Sequence, residues 1–92
     1  MTNLPIVWTE YFRYRCRVRD FDLATVEDIV RYSTERYHDT ATGRLIAVGR
    51  HDVRLVMVAY EQEDTSLTPI TIHATSRPQI NSRIRSGRFT NE

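Results

Sequence analysis

Tyr11-Phe12-Arg13-Tyr14-Arg15-Cys16-Arg17-Val18-Arg19 carries two periods at once, and the choice between them decides the fold. Phe12, Tyr14, Cys16 and Val18 alternate with Arg13, Arg15, Arg17 and Arg19, the two-residue repeat of a strand with one wet face. Trp8, Phe12 and Cys16 also fall four apart, as do Tyr11 and Arg15, which is the spacing of a helix face. Alternation alone favours the strand. Just upstream, Thr9 is placed to cap a helix, and Glu10 sits well against the positive end of its dipole. Leu4-Pro5-Ile6-Val7-Trp8 reads as a short strand or an extended lead-in.

Downstream the pattern is clearer. Asp22 caps a helix from residue 23 to about residue 32, with Leu23, Val26, Ile29 and Val30 on one side and Glu27 and Asp28 in water. After Ser33 the period changes. Strands are expected near residues 44–50, 53–61 and 69–75, with residues 37–40 as a shorter fourth. Thr42-Gly43 and His51-Asp52 supply tight turns, and the acidic stretch 61–68 a longer one, so the strands form an antiparallel meander. Leu55, Met57 and Ala59 face one way and Val56, Val58 and Tyr60 the other, which predicts a central strand covered on both faces. Residues 78–87 read as a closing helix, with Pro78 in its first turn and Gly87 as its stop. The expected fold class is α+β in one domain, residues 1–92, with a three- to four-stranded sheet and helices on one of its faces.

All thirteen basic residues are arginine. Arginine presents a planar fork of donors suited to phosphate and stacks on bases. A GC-rich genome yields the same bias, because most arginine codons are GC-rich. The net charge is only +1, but from residue 73 to the end four arginines face a single glutamate, Glu92, while Glu61-Gln62-Glu63-Asp64 is acidic. The longest apolar run, Leu55-Val56-Met57-Val58-Ala59, is too short to cross a bilayer. Residues 1–8 lack a basic segment leading into an apolar one, and Cys16 is the single cysteine. A cytoplasmic protein without an internal disulfide is expected.

The run from Trp8 through Phe21 resembles the opening of BrnT-like proteins, in which a helix with an early aromatic or histidine turns into a second helix. Asp39-Thr40-Ala41-Thr42-Gly43-Arg44 resembles that family's hairpin, and Leu55-Val56-Met57-Val58-Ala59-Tyr60-Glu61 its central strand. Thr71-Ile72-His73-Ala74-Thr75-Ser76-Arg77, with Ile80-Asn81 and Arg83, resembles the closing strand and helix. This resemblance turns the reading of residues 11–19 towards helix. It implies the RelE-like fold of the RelE/ParE toxins, which act on RNA or other targets and are neutralised by a partner antitoxin. The family's opening histidine is absent, with Tyr11 near its place.

Metal-independent RNA cleavage needs an acid or base near neutral pKa and a cation on the phosphate. His73 and Arg77 supply one of each, and Arg83 joins them if the last helix folds back. These three are the candidate catalytic residues. Tyr60 offers a hydroxyl or a stacking ring, and Arg13, Arg17, Arg85 and Arg88 are candidates for contacting RNA or a partner. Each has a plainer reading: His73 as a surface histidine, Arg77 as an ion-pair partner of Glu61 or Asp64, Tyr60 as a core-edge aromatic, and Arg83 and Arg88 as a solvated helix face. His38, His51 and His73 are scattered without a zinc-binding spacing, and no Gly-rich loop or nucleophile elbow occurs. No metal or cofactor is therefore expected. Two functions compete: a toxin-like endoribonuclease or RNA-binding protein of toxin–antitoxin type, and a non-catalytic interaction module, in the form of a homodimer or bound to another protein.

Overall fold

The stretch around Cys16 is helical. In the computed structural model, which describes residues 3–92, α1 spans Glu10–Val18 and is followed by α2 (Leu23–Tyr32). Then come β1 (Glu35–Asp39), β2 (Leu45–His51), β3 (Arg54–Gln62), β4 (Leu67–Ala74), α3 (Arg77–Arg85) and β5 (Phe89–Asn91). Thr9 caps α1 by accepting the Phe12 N–H at 3.1 Å, and Asp22 caps α2 by accepting that of Thr25 at 3.0 Å. Alternation misleads in α1 because only Phe12 and Cys16, one turn apart, reach the core, whereas Tyr14 and Val18 are exposed.

The strands form one antiparallel sheet in the order β4-β3-β2-β1-β5. The fifth strand exceeds the three or four expected. It spans three residues, too short to show a period, and pairs Phe89 with Asp39 and Asn91 with Tyr37. At the other edge, Pro5 and Val7 hydrogen-bond to Leu67, so the lead-in covers the start of β4. A bulge interrupts β3–β4 pairing: Ala59 faces Thr71 and Tyr60 faces Pro69, which leaves Ile70 without an opposite residue.

The expectation that all helices share one face of the sheet is corrected. On one face α1 and α2 cover Ala47, Val56, Val58, Tyr60 and Ile72, using Phe12, Cys16, Val26 and Val30. On the other, α3 sets Ile80 against Ile46, Val48 and Phe89, with Leu55, Met57 and Ala59 packed around them. The two-faced pattern of β3 requires this arrangement, since apolar side chains alternating onto both faces must both be covered. Because α3 contributes Ile80 as its one buried residue, it leaves part of its face open. That gap becomes the site below.

One close packing contact makes a direct prediction. An ideal Cβ on Gly49 would stand 2.8 Å from Ile29 Cγ1 of α2. Gly49→Ala should destabilise the fold by about 1–3 kcal/mol through overpacking, readable as a fall in Tm of roughly 4–8 °C per kcal/mol. An unchanged Tm would mean that α2 is not seated this tightly on β2.

Candidate nucleic-acid interface

The open part of the α3 face is a cleft of about 430 Å³. Ile46, Met57, Ala59 and Thr71 line it from the sheet, Gln79 and Arg83 from α3, and His73, Arg44 and Arg88 complete its rim. Its register follows from pairing. His73 lies opposite Met57 and Thr71 opposite Ala59, so β4 sends both side chains to the face that α3 only partly covers.

His73 also meets α1. Arg19 Nη1 lies 3.3 Å from His73 Nδ1 and donates to the Ile72 carbonyl at 3.4 Å. With Nδ1 accepting from Arg19, the imidazole carries its proton on Nε2. Partial desolvation, then the charges of Arg19, Arg15 and Arg83, hold its pKa below the ordinary 6.5. A neutral imidazole thus stands among three cations. Arg15, Arg19 and Arg83 have no carboxylate within ion-pair distance among the described residues. Arg15 instead donates to the Tyr11 hydroxyl at 3.0 Å, and Arg83 stacks on Phe89 with 5.6 Å to the ring centroid.

The other candidate residues separate. Arg77, expected in the catalytic set, is committed to Glu35 by two hydrogen bonds of 2.5 and 2.6 Å and does not line the cleft. Its acidic partner is neither Glu61 nor Asp64: β1 presents Glu35 at the start of α3, and Glu61 pairs with Arg44. The proposed exposed role for Tyr60 is also corrected. Its ring is 2% exposed under α1 and α2, on the opposite face from the cleft. Its hydroxyl accepts from Arg36 at 2.7 Å and donates to Glu92 at 3.3 Å, and burial pushes its pKa up. Cys16 is buried and its thiol is likewise raised by burial, so it serves packing. His51 is buried and accepts the Asp22 N–H through Nε2 at 2.7 Å. Among the described residues no group of three or more His, Cys, Asp or Glu side chains could hold a metal, and no helix is long and apolar enough to cross a membrane.

Arg88 lines the cleft while held by buried Asp39, at 3.1 and 3.2 Å. Burial pushes the Asp39 carboxyl up, but hydrogen bonds from Arg88 and the Ala41 N–H bring it below its ordinary 3.8. A carboxylate with a depressed folded pKa contributes stability that is present above its unfolded pKa and lost as pH falls through the folded one. Acid unfolding should therefore steepen below about pH 3.8, and Asp39→Asn should be less stable at neutral pH with a flatter acid limb. Parallel limbs for the two proteins would contradict the ion pair.

Arg13 and Arg17 lie with Tyr11 and Tyr14 on the outer face of α1, and Arg85 is exposed on α3. The residues that the sequence reading passed over are Arg15, Arg19 and Arg44. Once residues 11–19 are helical, Tyr11, Arg15 and Arg19 follow at four-residue spacing on one side, a signal present in the sequence but hidden beneath the stronger alternation. Comparison with protein-family models, curated proteins and solved structures gives no match to this chain.

Proposed function

We propose that this chain is a toxin-like RNA-binding protein whose α3-face cleft grips the phosphate backbone. The observation that carries the reading is the trio Arg15, Arg19 and Arg83, three guanidinium groups around His73 without carboxylate partners among the described residues. Arg77 and Arg88, by contrast, are tied to acids. Arg83 lines the cleft, while Arg15 and Arg19 stand on the α1 side of His73; unneutralised forks spaced in this way suit a polyanion. His73 adds a neutral Nε2–H donor for a phosphate oxygen. With Nδ1 engaged by Arg19, binding rather than cleavage is the function put forward.

A second reading draws on α1. Tyr14 and Val18 are 53% and 62% exposed beside Arg13 and Arg17, an aromatic and cationic face of the composition found at protein interfaces. An acidic antitoxin would fit that face and leave the cleft free.

Induction in growing cells tests the main reading. The natural chain should arrest growth, Arg83→Gln and His73→Ala should relieve the arrest, and Arg77→Ala should not, because Arg77 serves Glu35. Unimpaired growth at good soluble expression, or relief by Arg77→Ala alone, would count against it.

A further inference from the structure

A second, smaller hollow adjoins the cleft. It holds about 150 Å³ and is lined by Tyr11 and Arg15 of α1 and by Ile70, Thr71, Ile72 and His73 of β4. Thr71 and His73 line both hollows, so the edge of β4 is the ridge between them. The volume is about five times the ~30 Å³ share of one water, enough for one heterocyclic ring system and too small for a base pair.

Its walls are made by local features. The bulge in β4 frees Ile70 from cross-strand pairing, and Pro69 beside it has no N–H to offer another strand. Ile70 therefore lines the slot towards α1, where Tyr11 is 60% exposed. Arg15 holds the Tyr11 ring from one side, 5.7 Å from its centroid, and bonds its hydroxyl. One flat aromatic surface, two isoleucines and the polar groups of Thr71 and His73 thus surround a narrow space between cations. A ligand matching all of this has a planar ring with anionic groups beside it, which is the chemistry of a nucleotide.

We infer that this slot takes a single unstacked base of single-stranded RNA, laid against Tyr11, while the adjoining phosphate lies across the His73 ridge, between Arg83 in the cleft and Arg19 at the end of α1. The inference rests on the RNA-binding reading and names the form of RNA recognised. Bases in a duplex are stacked and paired and cannot enter, whereas bases of a single strand are free to stack on an aromatic side chain.

Fluorescence anisotropy with a short labelled oligoribonucleotide tests this. The ligands are the single strand, the same strand with every base removed, and the same sequence as a duplex. The single strand should bind tighter than either of the others by about 5- to 100-fold, the range expected for stacking one base on an aromatic ring. Tyr11→Ala should bring it to the level of the base-free strand, whereas Tyr11→Phe, which keeps the ring, should retain the preference. Equal affinity for all three ligands, or an unchanged preference in Tyr11→Ala, would overturn the base slot while leaving the phosphate-binding cleft standing. Failure to bind any of them would overturn both.

Discussion

Ile80→Ala should lower the stability of this protein by about 2–5 kcal/mol, the range for removing a large aliphatic side chain from a closed core. Ile80 is fully buried and is the one buried residue of α3, packed with Ile46, Val48 and Phe89. A nine-residue helix does not persist in water by itself, so α3 depends on this docking. Losing it should lower Tm by roughly 10–30 °C, and it should loosen the wall that carries Gln79 and Arg83. The consequence for function follows, because a cleft without that wall grips less well even at temperatures where the sheet survives. Ile84→Ala is the control: it lies on the same helix, is 41% exposed, and should cost far less. Similar losses from Ile80 and Ile84 would mean that α3 is not anchored as described.

Replacing Arg15, Arg19 and Arg83 together by glutamine should weaken binding of single-stranded RNA by about 100-fold, taking roughly 1 kcal/mol for each exposed charge-assisted contact. Glutamine is shorter than arginine but keeps an aliphatic stem and an N–H donor while removing the charge. The salt dependence should change with it. Each lost phosphate contact on a single strand removes about 0.7 from the slope of log affinity against log salt, so three should remove about 2. Arg19 also donates to the Ile72 carbonyl, and Arg83 stacks on Phe89, so thermal melts of the same variant separate a binding loss from a folding loss. The control pair, Arg31 and Arg77, removes charge from residues already tied to Glu27 and Glu35 and outside the cleft. That variant should keep the larger share of the salt slope.

Much of this fold is legible in the sequence. The strand cores around Val48, Val58 and Ile72, the turns at Gly43 and Asp52, the Asp22 cap and the Gly87 stop all rest on local chemistry, and local chemistry decides them. Three things were not legible. Residues 11–19 satisfy two periods, and only the burial of Phe12 and Cys16 on one turn selects the helix. The strand around Phe89 is too short to show a pattern and exists because β1 offers a free edge. The face on which α3 settles depends on which side of β3 remains uncovered, a tertiary matter.

The candidate site divides the same way. His73, at the end of β4, and Arg83, on the next helix, line one cleft, as their order in the chain allows. Arg77 was lost to Glu35, forty-two residues away in sequence, a pairing that no spacing rule reveals. Tyr60 was lost because one strand sends its odd and even residues to opposite faces, and its face is the one under α1 and α2. Arg15 and Arg19 were recoverable only after the helix was known.

RNA binding at His73 is read most plainly from the arginine side-chain N–H signals by NMR while a short single-stranded RNA is added. Arg15, Arg19 and Arg83 should shift together with the His73 imidazole, whereas Arg31 and Arg77, bound to their own carboxylates, should stay in place. Shifts confined to other arginines, or none at RNA concentrations well above those of nonspecific binding, would contradict RNA binding at His73.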